Sequence, residues 1–151
     1  MNQPHFPATR SGRHLVGLVG CSWSKLQRPA SPRELYTSQL FRKAAAYAEW
    51  NCDRWYILSA KHGLLHPDQV IPPYDVKLGT NVHRWGDEVR AQLAVELADV
   101  AGVALVALAG KQYQTVLRPC QWPFQIPMKG LGIGQQLGYL TNHLKSLERA
   151  S

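Results

Sequence analysis

His14-Leu-Val-Gly-Leu-Val-Gly20, running directly into Cys21-Ser-Trp-Ser-Lys25, is the segment on which the architecture turns. Seven residues with no charge beyond an opening histidine end at a glycine, and a polar, lysine-bearing turn follows. Short apolar runs bounded by turn residues read as strands buried on both faces, the pattern of a parallel sheet. The pattern recurs twice. Trp55-Tyr-Ile-Leu58 gives way to Ser59-Ala-Lys61-His62-Gly63, and Val103-Ala-Leu-Val-Ala-Leu-Ala109 gives way to Gly110-Lys111. In open parallel sheets, ligands bind beyond the carboxyl ends of the strands. The three repeats therefore predict one rim carrying three lysines, a histidine, a cysteine and several hydroxyls.

Helical segments alternate with these strands. Ser31-Pro32-Arg33-Glu34 has the form of a capping box with proline at the first helical position, and predicts a helix running to about Asn51. Trp85, Val89, Leu93, Leu97 and Val100 recur at steps of four and three, predicting a second amphipathic helix over about 81–100. A short helix follows Lys111. A brief strand over about Phe124 to Ile126 precedes a last helix with Leu137, Leu140, Leu144 and Leu147 on one face. Between the second strand and second helix, residues 63–75 carry Pro67, Pro72 and Pro73 and read as a long irregular loop, fastened by Leu64, Leu65, Val70 and Ile71. The order β-α-β-α-β-α-β-α predicts an α/β fold, a three-layer α/β/α sandwich with a mostly parallel four-stranded sheet. Residues 1–13 read as a flexible basic arm and 14–151 as a single α/β domain.

Composition narrows the partners. The chain has 17 Lys and Arg against 10 Asp and Glu, a formal +7, which favours nucleic acid or a phosphorylated nucleoside. No apolar run approaches the length of a bilayer span, and the polar N-terminus lacks a signal-peptide apolar segment, so the expectation is a cytoplasmic protein without a membrane partner. Cys21, Cys52 and Cys120 have neither zinc-ligand spacing nor the pattern of a disulfide framework. No cofactor and no metal site are expected. The sequence leaves the oligomeric state open.

The candidate site residues lie at the strand ends. The backbone after strand one can form an anion nest, with Cys21, Ser22 and Lys25 contributing a thiol, a hydroxyl and a point charge. Ser59, Lys61 and His62 crowd a hydroxyl, an ammonium and an imidazole into four residues, and His62 titrates near neutral pH. Tyr74 and Asp75 follow two prolines that stiffen their segment; the tyrosine offers a stacking face and the aspartate a proton acceptor. Gly110 and Lys111 precede a helix, as do Gly132 and Gly134, which lack the spacing of the dinucleotide fingerprint. These residues point to an enzyme acting on a nucleobase or nucleotide, of glycosylase or base-modifying-transferase type: His62, Asp75 and Lys61 for chemistry, the others for ligand binding. A non-catalytic DNA-binding module and a nucleotide sensor are the alternatives.

Cys21-Ser-x-x-Lys25, Leu35-Tyr36-x-Ser38-x-x-Phe41, Trp55 to Leu65, Ile71-x-Pro-Tyr-Asp75 and the Gly-x-Gly-x-Gly entry to the last helix resemble a family of small bacterial and phage proteins known only as a domain of unknown function. The resemblance spans His14 to Leu147. More distantly, the chain is similar to the YaaA-like proteins, a likeness that implies DNA binding. A third likeness is to the core domain of archaeosine synthase, through Cys21, Lys25, Tyr36 and Ser38. That motif's closing histidine is replaced here by Phe41, so its lysine-transfer chemistry is not implied.

Overall fold

The structure is a computed structural model that describes residues 13–115, 117 and 119–150; the basic arm expected at 1–13 lies, apart from Arg13, outside them. Strands β1 (His14–Gly20), β2 (Arg54–Ser59), β3 (Gly63–Leu65), β4 (Val103–Leu108) and β5 (Phe124–Gln125) form one sheet in the order β3-β2-β1-β4-β5. β1 pairs in parallel with β2 and with β4, β4 in parallel with β5, and β3 runs antiparallel to β2. The sheet is therefore mixed and mostly parallel, with five strands where four were expected. The added strand is β3, in the stretch read as loop. Three residues are too few to show a period, and the turn at 60–62 returns the chain so that Leu64 pairs with Leu58.

The helices are α1 (Pro32–Leu35), α2 (Gln39–Asn51), α3 (Val82–Glu96), α4 (Lys111–Thr115) and α5 (Ile133–Ala150). Alternate strand residues face alternate sides. Leu15, Val19, Ile57, Ala104 and Val106 pack with Ala44 and Ala48 of α2 and Leu140 of α5. Val16, Leu18, Leu58, Leu105 and Ala107 pack with Trp85, Val89 and Leu93 of α3. Each face of the sheet thus has its own core, which is why the strands read as unbroken apolar runs.

The helix expected from Ser31 onward is two helices. Ser31 makes no side-chain cap hydrogen bond, and the chain leaves helical geometry at Tyr36. Ser38 is the working cap of α2, its Oγ accepting from the Phe41 amide at 3.1 Å. In the interruption, Lys25 and Tyr36 form an antiparallel bridge, which ties the loop after β1 to the start of α2. The 63–75 segment is fastened as expected by Leu64, Leu65 and Ile71, and by the Ile71–Ala30 bridge, but Val70 is exposed and takes no part.

Candidate functional site

A polar hub and an open cleft stand side by side at the carboxyl edge of the sheet. The first is organised around Tyr74. Ser59 closes β2 and is fully buried. Its Oγ accepts from the amides of Lys61 (3.2 Å) and His62 (3.0 Å) and lies 2.7 Å from the Tyr74 hydroxyl, which in turn lies 2.5 Å from that of Tyr36. With both acceptor positions of Ser59 filled, its proton must go to Tyr74, and Tyr74 passes its own to Tyr36. The direction of donation is thereby Ser59 to Tyr74 to Tyr36. Burial pushes the Tyr36 phenol up to about 12 and raises that of Tyr74, so both remain neutral donors.

Helix α3 clamps the turn that carries this serine. The Trp85 indole N–H donates to the Ser59 carbonyl at 2.7 Å. Gln92 accepts from the Leu64 amide at 2.9 Å and donates to the His62 carbonyl at 3.2 Å. Gly63 has a left-handed backbone, with φ 75°. A Cβ there would also run into the Gln92 carboxamide, so the turn requires glycine twice over. Cations and the histidine surround Tyr74. Lys25 Nζ is 4.5 Å from its ring centre and Lys61 Nζ is 5.9 Å from it. Both lie within the range of a cation–π attraction. The His62 ring meets that of Tyr74 edge-on at 5.3 Å. Desolvation, and then the neighbouring Lys61 ammonium, hold the His62 pKa below its ordinary value, so the ring is neutral near pH 7. Its Nε2 is buried without a partner.

The open cleft, of about 300 Å³, lies between the ends of β1 and β4, walled by Gly20, Cys21 and Ser22 on one side and Ala109, Gly110 and Tyr113 on the other. Strands progress from β1 to β2 in one direction and from β1 to β4 in the other, so this cleft is the topological switch point of the sheet, the place where open α/β sheets bind ligands. Phe41 and Met128 make its interior apolar. The Cys21 thiol is 3.6 Å from the Tyr113 hydroxyl, whose pKa burial raises. Past Cys21 and Ser22 the cleft continues into a trough of about 430 Å³ that reaches Trp23, Lys25 and Lys77. Beyond Trp23 and Lys25 lies another of about 440 Å³, bordered by Tyr74 and Asp75.

The sequence-derived candidates divide accordingly. Cys21, Ser22 and Gly110 wall the cleft; Lys25, Tyr74 and Asp75 border the outer trough; Ser59, Lys61 and His62 stand behind Tyr74. Of the three lysines and the histidine expected at one rim, those at 25, 61 and 62 gather around one ring, while Lys111 is exposed at the start of α4. Gly132 and Gly134 adjoin cleft-lining Ile133 and Gln136, and the Gly132 amide is taken by the Gln135 side chain at 3.0 Å. Tyr74 is only 7% exposed, so the aromatic face open to solvent at this edge is that of Trp23, at 56%. Lys77 and Gln92 had no sequence signal: Lys77 lies in a loop between Val76 and Leu78 and Gln92 on α3 between Ala91 and Leu93, and only the tertiary fold brings each to the edge. Among the described residues there is no group of three or more His, Cys, Asp or Glu able to hold a metal ion, and no helix long and apolar enough to cross a membrane.

The family described as "Family of unknown function (DUF6884)" matches residues 16–142. The chain is 34% identical over 126 residues to the uncharacterized protein YfjM of Bacillus subtilis, covering 81% of each. It is 31% identical over 72 residues to the UPF0246 protein IL2146 of Idiomarina loihiensis and 34% identical over 90 residues to a UPF0246 protein of Cellvibrio japonicus, covering 28% and 35% of those longer proteins. The UPF0246 matches agree with the distant relation to YaaA-like proteins; none of these names bears on archaeosine synthase.

Proposed function

Since the chain belongs to this family of unknown function, we propose, from its own site, that it is a nucleic-acid-associated enzyme that binds a nucleobase or nucleotide in the cleft between β1 and β4 and acts on it, in the manner of a glycosylase or base-modifying transferase. The observation that carries this reading is the position of an open, apolar-floored cleft at the topological switch point, continuous with a trough bordered by Lys25 and Lys77. An apolar interior suits a planar base, and the two ammonium groups suit its phosphate. In this reading the backbone at Ser22 and Gly110 and the Lys25 ammonium hold the phosphate. His62, neutral near pH 7, or Asp75 accepts a proton, and Lys61 supplies charge near the reacting group.

One observation favours a second reading, binding without chemistry. The hydroxyls of Ser59 and Tyr74 are spent on each other and on Tyr36, and the Nε2 of His62 is buried, so the hub is poor in groups free to react.

Thermal unfolding in the presence of nucleosides, mononucleotides and oligonucleotides tests both. A ligand at about 100 times its Kd adds about 2.7 kcal/mol, a rise of several degrees in a domain of this size. The enzyme reading expects such a rise with a phosphate-bearing nucleotide, and release or modification of the base, abolished in Lys61→Ala and His62→Ala. A rise without product supports the sensor or binding module. No rise with any member of the panel overturns both.

A further inference from the structure

Trp23 is a large apolar side chain left more than half exposed at the edge where the hub tyrosines Tyr36 and Tyr74 are sealed. It separates the two outer troughs, lining both. Lys25 and Lys77 place their ammonium groups 5.0 and 5.1 Å from its ring centre. From the trough beside Tyr74, Leu26 leads into a third of about 330 Å³, lined by Arg28, Arg33 and Arg42. Arg33 is engaged with Glu49 and Asp68, whereas Arg28 and Arg42 are exposed. The three troughs share residues end to end, so they form one path. It carries Lys77, Lys25, Arg28 and Arg42 against the carboxylates of Asp75 and Glu34, and at one end it opens through Cys21 and Ser22 into the cleft.

We infer that this path is a track for single-stranded nucleic acid, with bases on either side of Trp23 and phosphates on Lys77, Lys25, Arg28 and Arg42. The inference rests on the nucleobase reading of the cleft and names the form in which the base arrives. An aromatic ring standing up between two hollows, flanked by cations, is the arrangement that binds unpaired bases by stacking and their backbone by charge, tolerant of sequence. Bases in a duplex already stack on their neighbours and would have to be unstacked to use it. The net charge of +7 acts in the same direction at longer range.

The test uses the full chain, a short fluorescein-labelled oligothymidylate, thymidine monophosphate and a duplex of the same length. The oligothymidylate is expected to bind at least about tenfold more tightly than either competitor, and to quench the emission of the most exposed tryptophan among those described. Trp23→Ala is expected to weaken the oligonucleotide about tenfold more than the monophosphate, whose Lys25 contact adjoins the ring, with Trp23→Phe recovering most of the loss. Four phosphate contacts imply a fall in affinity of about fifty-fold between about 50 and 200 mM salt; Arg28→Ala/Arg42→Ala reduces it to about sevenfold. Equal affinity for oligonucleotide and monophosphate, with no effect of Trp23→Ala, overturns the track and leaves the cleft reading intact. Tighter binding of the duplex also overturns it. Absence of binding by monophosphate and oligonucleotide alike removes the cleft reading itself.

Discussion

At the end of β2, Ser59 is sealed from solvent, both its acceptor positions and its proton are used, and a tryptophan and a glutamine of α3 hold the turn in place. At the end of β1, Cys21 and Ser22 are half-exposed on an open cleft, and Trp23 stands in solvent. The two turns follow the same kind of strand, and each runs from a serine to a lysine within four residues. What separates them is saturation. The Ser59 hydroxyl, with its hydrogen bonds all internal, is part of the framework, whereas the Ser22 hydroxyl gives its proton to the Ser24 carbonyl at 2.8 Å and keeps its acceptor positions beside the cleft. Lys25 joins the two regions, because its ammonium sits on the rings of Tyr74, Tyr36 and Trp23 together.

The contrast breaks most readily at Tyr74. Tyr74→Phe keeps the ring and removes the oxygen between Ser59 and Tyr36, leaving two buried hydroxyls without their partner. Unsatisfied buried groups cost about 1–3 kcal/mol each, so a loss of about 2–6 kcal/mol is expected by denaturant unfolding. A loss under about 0.5 kcal/mol, the scale of an inconsequential surface change, would mean that the hub is not a saturated framework. Next is Gly63→Ala, which strains a left-handed backbone and collides with Gln92. The backbone alone is expected to cost about 1 to about 2 kcal/mol. Adding Gln92→Ala relieves the collision and not the backbone strain, so the double variant remains less stable than Gln92→Ala.

Lys25→Met acts on the hub and the cleft at once, because the residue belongs to both. It forfeits the cation–ring contacts, about 1 kcal/mol in stability, while nucleotide affinity falls about tenfold. Equal and small effects on both would detach Lys25 from the site.

The smallest effect is a pH dependence. The folded pKa of His62 lies below its unfolded value, so the unfolded chain binds the extra proton first. His62 therefore subtracts nothing above the unfolded value near 6.5 and takes stability away as pH falls below it, until the folded form also protonates. His62→Asn is expected to flatten the loss of stability on acidification relative to the parent chain, measured as unfolding midpoints from neutral pH to about pH 5. A steeper loss in the variant would contradict a neutral, desolvated imidazole.

Much of the architecture was legible because the strands are buried on both faces: His14 to Gly20 and Val103 to Leu108 carry no alternation to misread, and α3 shows its period plainly. β3 was not legible, since Gly63-Leu-Leu65 is stabilised by pairing to β2 and by Gln92, both remote in sequence. The break between α1 and α2 was hidden by a good capping box at Ser31 that the tertiary structure leaves unused in favour of Ser38. The gathering of residues 25, 61 and 62 was readable from strand order alone. The division of labour around them was not: saturation of Ser59 depends on a tyrosine fifteen residues away and on its turn's own amides. For the same reason Tyr74 looked like a stacking face from its prolines.

The most direct measurement is an amide NMR titration of the labelled chain with a nucleoside monophosphate. The expectation is that the shifts concentrate at Gly20 to Ser22 and Ala109 to Tyr113, on the two walls of the cleft, and at Lys25 in the adjoining trough, with smaller changes across Ser59 to Leu65. Saturable shifts centred on the β2 turn or on a surface remote from β1 and β4, with residues 20–22 and 110 unmoved, would contradict it.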